Sequence, residues 1–152
     1  MPERAPDFVY VVYIAASPDT VWNALMERDL TKAYWEHYNV SDWKQGSPWK
    51  HVRADENGEI DLVGTVIELD PPKRLVITWG LPSDPQDESR HSRVTFDVQP
   101  VGPDAKLTVT HSDLEAGSSM QRGITQGWPA VLSNLKTLLE TGRTLQGDLW
   151  AA

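Results

Sequence analysis

The chain contains no cysteine among its 152 residues. Thiolate nucleophiles, disulfides and cysteine-based zinc sites are therefore excluded together. Positive charge is scarce: 14 Lys and Arg face 22 Asp and Glu, a formal net charge of −8. A surface of that sign repels phosphate backbones and anionic bilayers, so neither nucleic acid nor a membrane is an expected partner. No apolar run approaches the ~20 residues that span a bilayer. The opening stretch MPERAPDF has no apolar segment of the kind a secretory signal needs, and a cytoplasmic location is expected. Motifs of nucleophilic chemistry are missing as well, with no Gly-x-Ser-x-Gly elbow. His37, His51, His91 and His111 show neither HxH nor HExxH spacing, so no metal or cofactor is expected. Phenylalanine is rare, two residues against seven tryptophans.

Those tryptophans are an unusual allotment for so short a chain. Trp is bulky and amphipathic, and is enriched where a protein surrounds a cavity or meets a partner. Gly64 to Trp79, GTVIELDPPKRLVITW, is the most informative stretch. Two runs rich in Val, Ile, Leu and Thr flank a Pro pair that cannot donate to a sheet ladder and so belongs in a turn. Leu75, Ile77 and Trp79 alternate with Val76 and Thr78, which presents a Trp on one face of an antiparallel hairpin.

Elsewhere, Phe8–Ile14 (FVYVVYI) reads as a strand. Ser17-Pro18-Asp19 reads as a capped helix start, with Val21, Trp22 and Leu25 at helical spacing. A second short helix is expected over Asp29–Glu36. Strands are expected at Val40–Lys44, Trp49–Ala54, Ile60–Leu69, Arg74–Trp79, Arg90–Val98 and Lys106–Ser112. Leu81–Ser89, polar and Pro-interrupted, reads as a mobile surface loop. Ile124, Trp128, Val131, Leu132, Leu135, Leu138 and Leu139 then share one face of a long helix stopped by Gly142. Pro129 lacks the N–H that would bond the Thr125 carbonyl and is expected to bend or divide that helix. A sheet with one long amphipathic helix is best solved as a single α+β domain in which a curved sheet wraps the helix. Its core spans about residues 8–141 of a single domain covering 1–152.

These residues also carry a family resemblance. Ile14-Ala15-Ala16-Ser17-Pro18 followed by Val21-Trp22 resembles the start of the START-like (SRPBCC) superfamily. Gly64-x-Val66-x-Glu68-Leu69-x-Pro71-Pro72-x-Arg74-Leu75 closing at Trp79, Thr108-x-Thr110-His111-Ser112, and Gly127-Trp128 before Leu132 and Leu135 narrow the match. Together they resemble single-domain bacterial proteins named after the activator of the ninety-kilodalton heat-shock protein ATPase. The resemblance implies a helix-grip fold with a pocket between sheet and long helix. Eukaryotic activators carry a separate N-terminal domain with an Asn- and Trp-rich stimulatory motif, and nothing like it stands among the seven residues before Phe8. Co-chaperone activity is therefore not expected, and an assay of the chaperone's ATPase rate should show no stimulation by this chain.

Tyr10, Trp35, Trp49, Trp79, Phe96 and Trp128 belong to apolar faces that should meet in the sheet–helix space. Rings with polar tips mixed with His51 and His111 point to a pocket that positions a polar group rather than to a plain core. Those eight residues form the expected site, and its ligand is expected to be a small apolar or aromatic molecule. His51 and His111 are expected on the inner face as a hydrogen-bonding pair rather than a zinc site. For acid–base chemistry of the cyclase or hydratase type, His51, His111 and Glu68 are the candidates, while Glu68, opposite in parity to Ile67 and Leu69, is more readily read as a solvent-facing carboxylate or a surface ion pair. Arg53, if inward, requires an anionic partner such as Glu68 or a ligand carboxylate. A third reading is a protein-interaction module, with a filled core and exposed Trp.

Overall fold

Strand β1 (Phe8–Ile14) forms where every residue is aromatic or aliphatic. The chain turns at Ser17, whose side chain accepts a hydrogen bond from the Thr20 amide and caps helix α1 (Pro18–Met26). Helix α2 (Arg28–Trp35) follows after a one-residue break, one residue ahead of expectation, and ends with Glu36 in the left-handed region (φ 60). The chain then runs back and forth through β2 (His37–Ser41), β3 (Pro48–Arg53), β4 (Ile60–Asp70), β5 (Arg74–Trp79), β6 (Ser92–Val101) and β7 (Asp104–Ser112). It finishes in helix α3 (Ser119–Thr141), capped by Ser118 and closed by Gly142 at φ 80. These are the features of the computed structural model, which describes residues 3–83 and 91–149. Most of the loop expected at Leu81–Ser89 lies outside the described residues.

The seven strands form one antiparallel sheet in the order β1-β7-β6-β5-β4-β3-β2. Six consecutive strands are neighbours, and β1 joins at the far edge beside β7. Helices α1 and α2 thus carry the chain from one edge of the sheet to the other. Helix α3 lies against the inner face, where Ile124, Trp128, Val131, Leu132 and Leu135 are buried with Val66, Ile77, Val94, Phe96, Leu107 and Val109 from the sheet. This is the α+β helix-grip arrangement. No helix among the described residues is long and apolar enough to cross a membrane.

Two expectations need correction. Pro129 does not divide the terminal helix, which runs as one element of 23 residues beginning five residues before Ile124. The missing N–H removes one bond, while Val131, Leu132 and Leu135 packed beyond it hold the helix together. Strand β2 begins at His37 rather than Val40 and stops at Ser41, because Trp43 adopts φ 53 and leaves the extended region. Glu68 takes the surface ion-pair role and not the acid–base one. Val66 pairs with Ile77 but Glu68 pairs with Val76, so Ile67 is an extra residue on β4. Glu68 lies exposed on the outer face, bridged at 3.2 Å to Arg74, which also holds Asp97 at 2.8 Å. It has no place in an inner site.

Candidate functional site

An open cleft of about 250 Å³ lies between helix α3 and the β2–β5 end of the sheet. Trp35 enters it from the end of α2, His37 from β2, His51 from β3, Asp61 and Leu62 from β4, and Trp79 from β5. Helix α3 supplies Gly123, Ile124, Gly127, Trp128 and Val131. The two glycines stand four residues apart and so share a helix face. A Cβ placed on either would meet nothing within 4 Å, so the open space in front of them belongs to the cleft. Each glycine makes the helix less stable than alanine by about 1 kcal/mol.

Three indoles form the apolar wall. Trp35 and Trp79 stack with centroids 6.3 Å apart, and Trp128 meets each of them at 5.5 Å. All three are at most 9% exposed. Trp49 donates its indole N–H to the Thr78 carbonyl at 2.7 Å, and Trp128 donates to His111 Nδ1 at 3.1 Å. Trp79 Nε1 is buried and has no partner. A buried donor left unpaired costs about 1–3 kcal/mol.

Indole can only donate, which fixes the state of His111. Its Nδ1 accepts from Trp128, so Nε2 carries the proton and donates to Ser92 Oγ at 2.7 Å. The Ser92 hydroxyl in turn donates to the Trp79 carbonyl at 3.2 Å. Burial lowers the His111 pKa from 6.5 to about 4 and keeps the ring neutral. His111 is fully buried behind Trp128 and does not line the cleft. It is a packing and hydrogen-bonding residue.

His51 is different. Its Nδ1 lies 2.7 Å from Asn39 Oδ1, an acceptor, so Nδ1 carries the proton and Nε2 is left as a free acceptor in a ring that lines the cleft. Burial, with the neighbouring His37 adding to it, lowers its pKa from 6.5 to about 3. The His51 and His37 rings stack at 4.2 Å and within 2° of parallel. The expected pairing of His51 with His111 does not occur. Each has other partners, and Trp79 lies near both, at 5.9 and 5.5 Å.

The rim is polar. Val52 pairs with Ile60 while His51 pairs with Leu62, so Asp61 is a bulge residue on β4. The bulge turns its carboxylate toward His37 Nε2 at 2.8 Å and into a two-point contact with Arg53 at 2.9 and 3.0 Å. The Arg53 contact is the largest influence holding the Asp61 carboxyl below its ordinary range. Arg53 keeps the parity of Trp49 and His51 but sits at the exposed strand end, also bridged to Glu59 at 3.2 Å. It is outside the cleft, and its partners are Asp61 and Glu59, not Glu68. His37 Nδ1 faces the Trp35 carbonyl at 3.0 Å, so both of its nitrogens are engaged.

Of the eight residues expected from the sequence, Trp35, His51, Trp79 and Trp128 line the cleft. Trp49, Phe96 and His111 are buried behind it, and Tyr10 is half-buried on β1, stacked on Phe8 at 6.5 Å. The expected set omitted His37, Asp61, Leu62 and Gly123, as well as Ile124, Gly127 and Val131, which the sequence had placed on the helix but not in the site. Two glycines at helical spacing inside an apolar helix face were a readable sign of the cleft. The rim pair carried no local signal.

With this geometry in place, comparison with known proteins is informative. The model of the family described as "Activator of Hsp90 ATPase homolog 1-like protein" matches residues 15–140, most of the chain. This chain belongs to that family. Solved structures similar to this family member include protein MLL2253 from Mesorhizobium loti, with 25% identity and TM-score 0.72, covering 89% of this chain and 97% of that one. The Aha1 dimer from Colwellia psychrerythraea has 24% identity and TM-score 0.74, covering 94% of this chain and all of that one. Protein SSP2350 from Staphylococcus saprophyticus has 21% identity and TM-score 0.73, covering 94% and 98%. The last two share the fold. Comparison with curated proteins returns no match.

Proposed function

We propose that this family member binds a small, largely apolar ligand in the cleft between α3 and the sheet. The observation that carries this reading is the pair Gly123 and Gly127, which leave a space faced by Trp35, Trp79 and Trp128 where packed side chains would otherwise stand. At about 250 Å³ the cleft is at the small end of ligand sites, which suits one or two fused rings better than a long lipid chain.

An acid–base enzyme is the second reading, favoured by the His37–Asp61 contact at the rim. Two features weigh against it. Both nitrogens of His37 are already bonded, and His51, with a pKa near 3, is a weak base at neutral pH. An interaction module would display its tryptophans, whereas those of the cleft are almost wholly covered.

Binding is tested by Gly127→Leu. With nothing within 4 Å of the added Cβ, the variant is expected to fold and to fill the cleft. A ligand at a hundred times its Kd stabilises the wild type by about 2.7 kcal/mol and should raise its Tm by roughly 5–10 °C. The same ligand should leave Gly127→Leu unshifted. Equal shifts in both proteins would place binding elsewhere.

A further inference from the structure

The sheet has two edges, and they are finished differently. Strand β2 is only five residues long, and the Arg28 and Lys32 side chains of α2 lie over its Tyr38 ring at 3.9 and 5.0 Å, which keeps two cations beside it. Strand β1 has no such guard. Its seven residues, FVYVVYI, include no charge, proline or glycine, and its register with β7 is unbroken from Phe8 to Ile14. Among the described residues no strand pairs with its far side, where alternate backbone N–H and C=O groups point outward. Val9, Val11 and Tyr13 stand on the outer face at 55%, 43% and 55% exposure, with Thr110 and Thr108 of β7 beside the two valines. Phe8 and Tyr10, stacked at 6.5 Å on the inner face, are only half-buried. One unpaired strand thus shows apolar groups to water on both faces.

Helix α3 decides which part of this edge is available. Lys136 Nζ donates to the Tyr13 carbonyl at 2.7 Å, and Glu140 accepts from the Ala15 amide at 2.7 Å, so the C-terminal end of β1 is already engaged. The stretch from Phe8 to Val12 remains, and its centre is Tyr10. We propose that this edge pairs with β1 of a second copy of the chain, antiparallel about a two-fold axis at Tyr10, joining two sheets into one. An axis normal to the sheet keeps outer face with outer face, so Val9 of each copy stands opposite Val11 of the other. Charge favours the same register. Exposed Asp7 precedes the strand, and Lys106, paired with Tyr13 and 5.9 Å from its ring, flanks the other end. Pairing about Tyr10 sets Asp7 of each copy opposite Tyr13 of the other, beside Lys106, so opposite charges approach at both ends. The rest of a chain with net charge −8 repels its own kind, which leaves the uncharged edge as the face for self-association. The cleft, toward the β2 edge of the sheet, stays open in such a dimer.

The experiment is sedimentation equilibrium of the full chain from about 5 μM to about 1 mM, a range that covers the affinities of small interfaces. The weight-average mass is expected to rise from 17.1 kDa toward twice that value. Val11→Lys and Val9→Glu replace exposed side chains, so both should keep the wild-type circular dichroism spectrum, and each should weaken self-association at least about tenfold. Mixed in equal amounts the two variants should associate again, because the introduced ammonium of one then faces the introduced carboxylate of the other. A misfolded variant cannot give that rescue. Amide hydrogen exchange reads the same contact without any variant, and should be slower over residues 8–12 at the high concentration than at the low one. A wild-type mass of 17.1 kDa throughout, or exchange that does not change with concentration, overturns the proposal. Undiminished self-association of both variants places the contact elsewhere and overturns it too. Two folded variants that stay apart on mixing overturn the pairing about Tyr10.

Discussion

Lowering the pH from about 7 to about 5 is expected to remove about 4 kcal/mol of unfolding free energy through two histidines alone, about 2 kcal/mol from each. His51 and His111 have folded-state pKa values near 3 and 4, against an ordinary value of 6.5. Between those limits the unfolded chain takes up two protons that the folded chain does not, so stability rises with pH through this window. It falls as the solution is acidified below 6.5, and the loss levels off only as the folded rings themselves protonate. The physical content is local. Protonating His111 converts Nδ1 from an acceptor to a donor facing the Trp128 N–H. Protonating His51 places a charge beside the His37 ring, away from water. The acidic shoulder below that, where Asp61 and its Arg53 bridge titrate, is a separate and later event. Urea unfolding at a series of pH values should show the slope, and His111→Gln should reduce it by about half relative to its own stability at neutral pH.

Trp128 carries the second large effect. It is 2% exposed, meets Trp35, Trp79 and Phe96 at 5.5–5.8 Å, and donates to His111. Trp128→Ala is expected to lose about 3–5 kcal/mol, since it removes the largest side chain of the helix face and leaves His111 Nδ1 unpaired. Trp128→Phe keeps a ring in place and isolates the polar part, with an expected loss of about 1–3 kcal/mol. In the Phe variant His111 protonates more readily, because its Nδ1 no longer needs to accept. The pH dependence of stability should therefore be shallower than in the wild type. A Trp128→Phe protein as stable as wild type, with an unchanged pH slope, would show that the indole–imidazole bond contributes nothing.

What the sequence revealed and what it hid divide along local and non-local lines. β1, the Ser17 cap, the Gly142 stop and the hairpin around Pro71-Pro72 follow from residue types within a few positions, and each forms where the residues indicate. The inner-face assignments of Trp49, His51, Trp79 and Trp128 follow from alternation and helical spacing, and all four are buried inward. Glu68 was legible, since its parity against Ile67 and Leu69 puts it on the solvent side, where it stands exposed and bridged to Arg74. Asp61 was missed because alternation assumes an unbroken ladder, and a bulge that aims one carboxylate at two strands leaves no mark in a pattern of apolar residues. His111 was read as a site residue because a buried histidine and a cleft histidine look alike in sequence. Only the indole in front of it separates them. Pro129 does not divide the helix, because tertiary packing on both sides outweighs its local penalty.

The most direct test of the cleft is two-dimensional NMR of the indole N–H groups during titration with an uncharged bicyclic aromatic. A ligand seated against Gly123 and Gly127 must touch the rings of Trp35, Trp79 and Trp128, whereas Trp22 and Trp43 lie outside that set. The signals of Trp35, Trp79 and Trp128 are expected to move together with one Kd, while those of Trp22 and Trp43 stay in place. Movement confined to Trp22 and Trp43, or no movement of the three cleft signals at saturating ligand, would contradict this expectation.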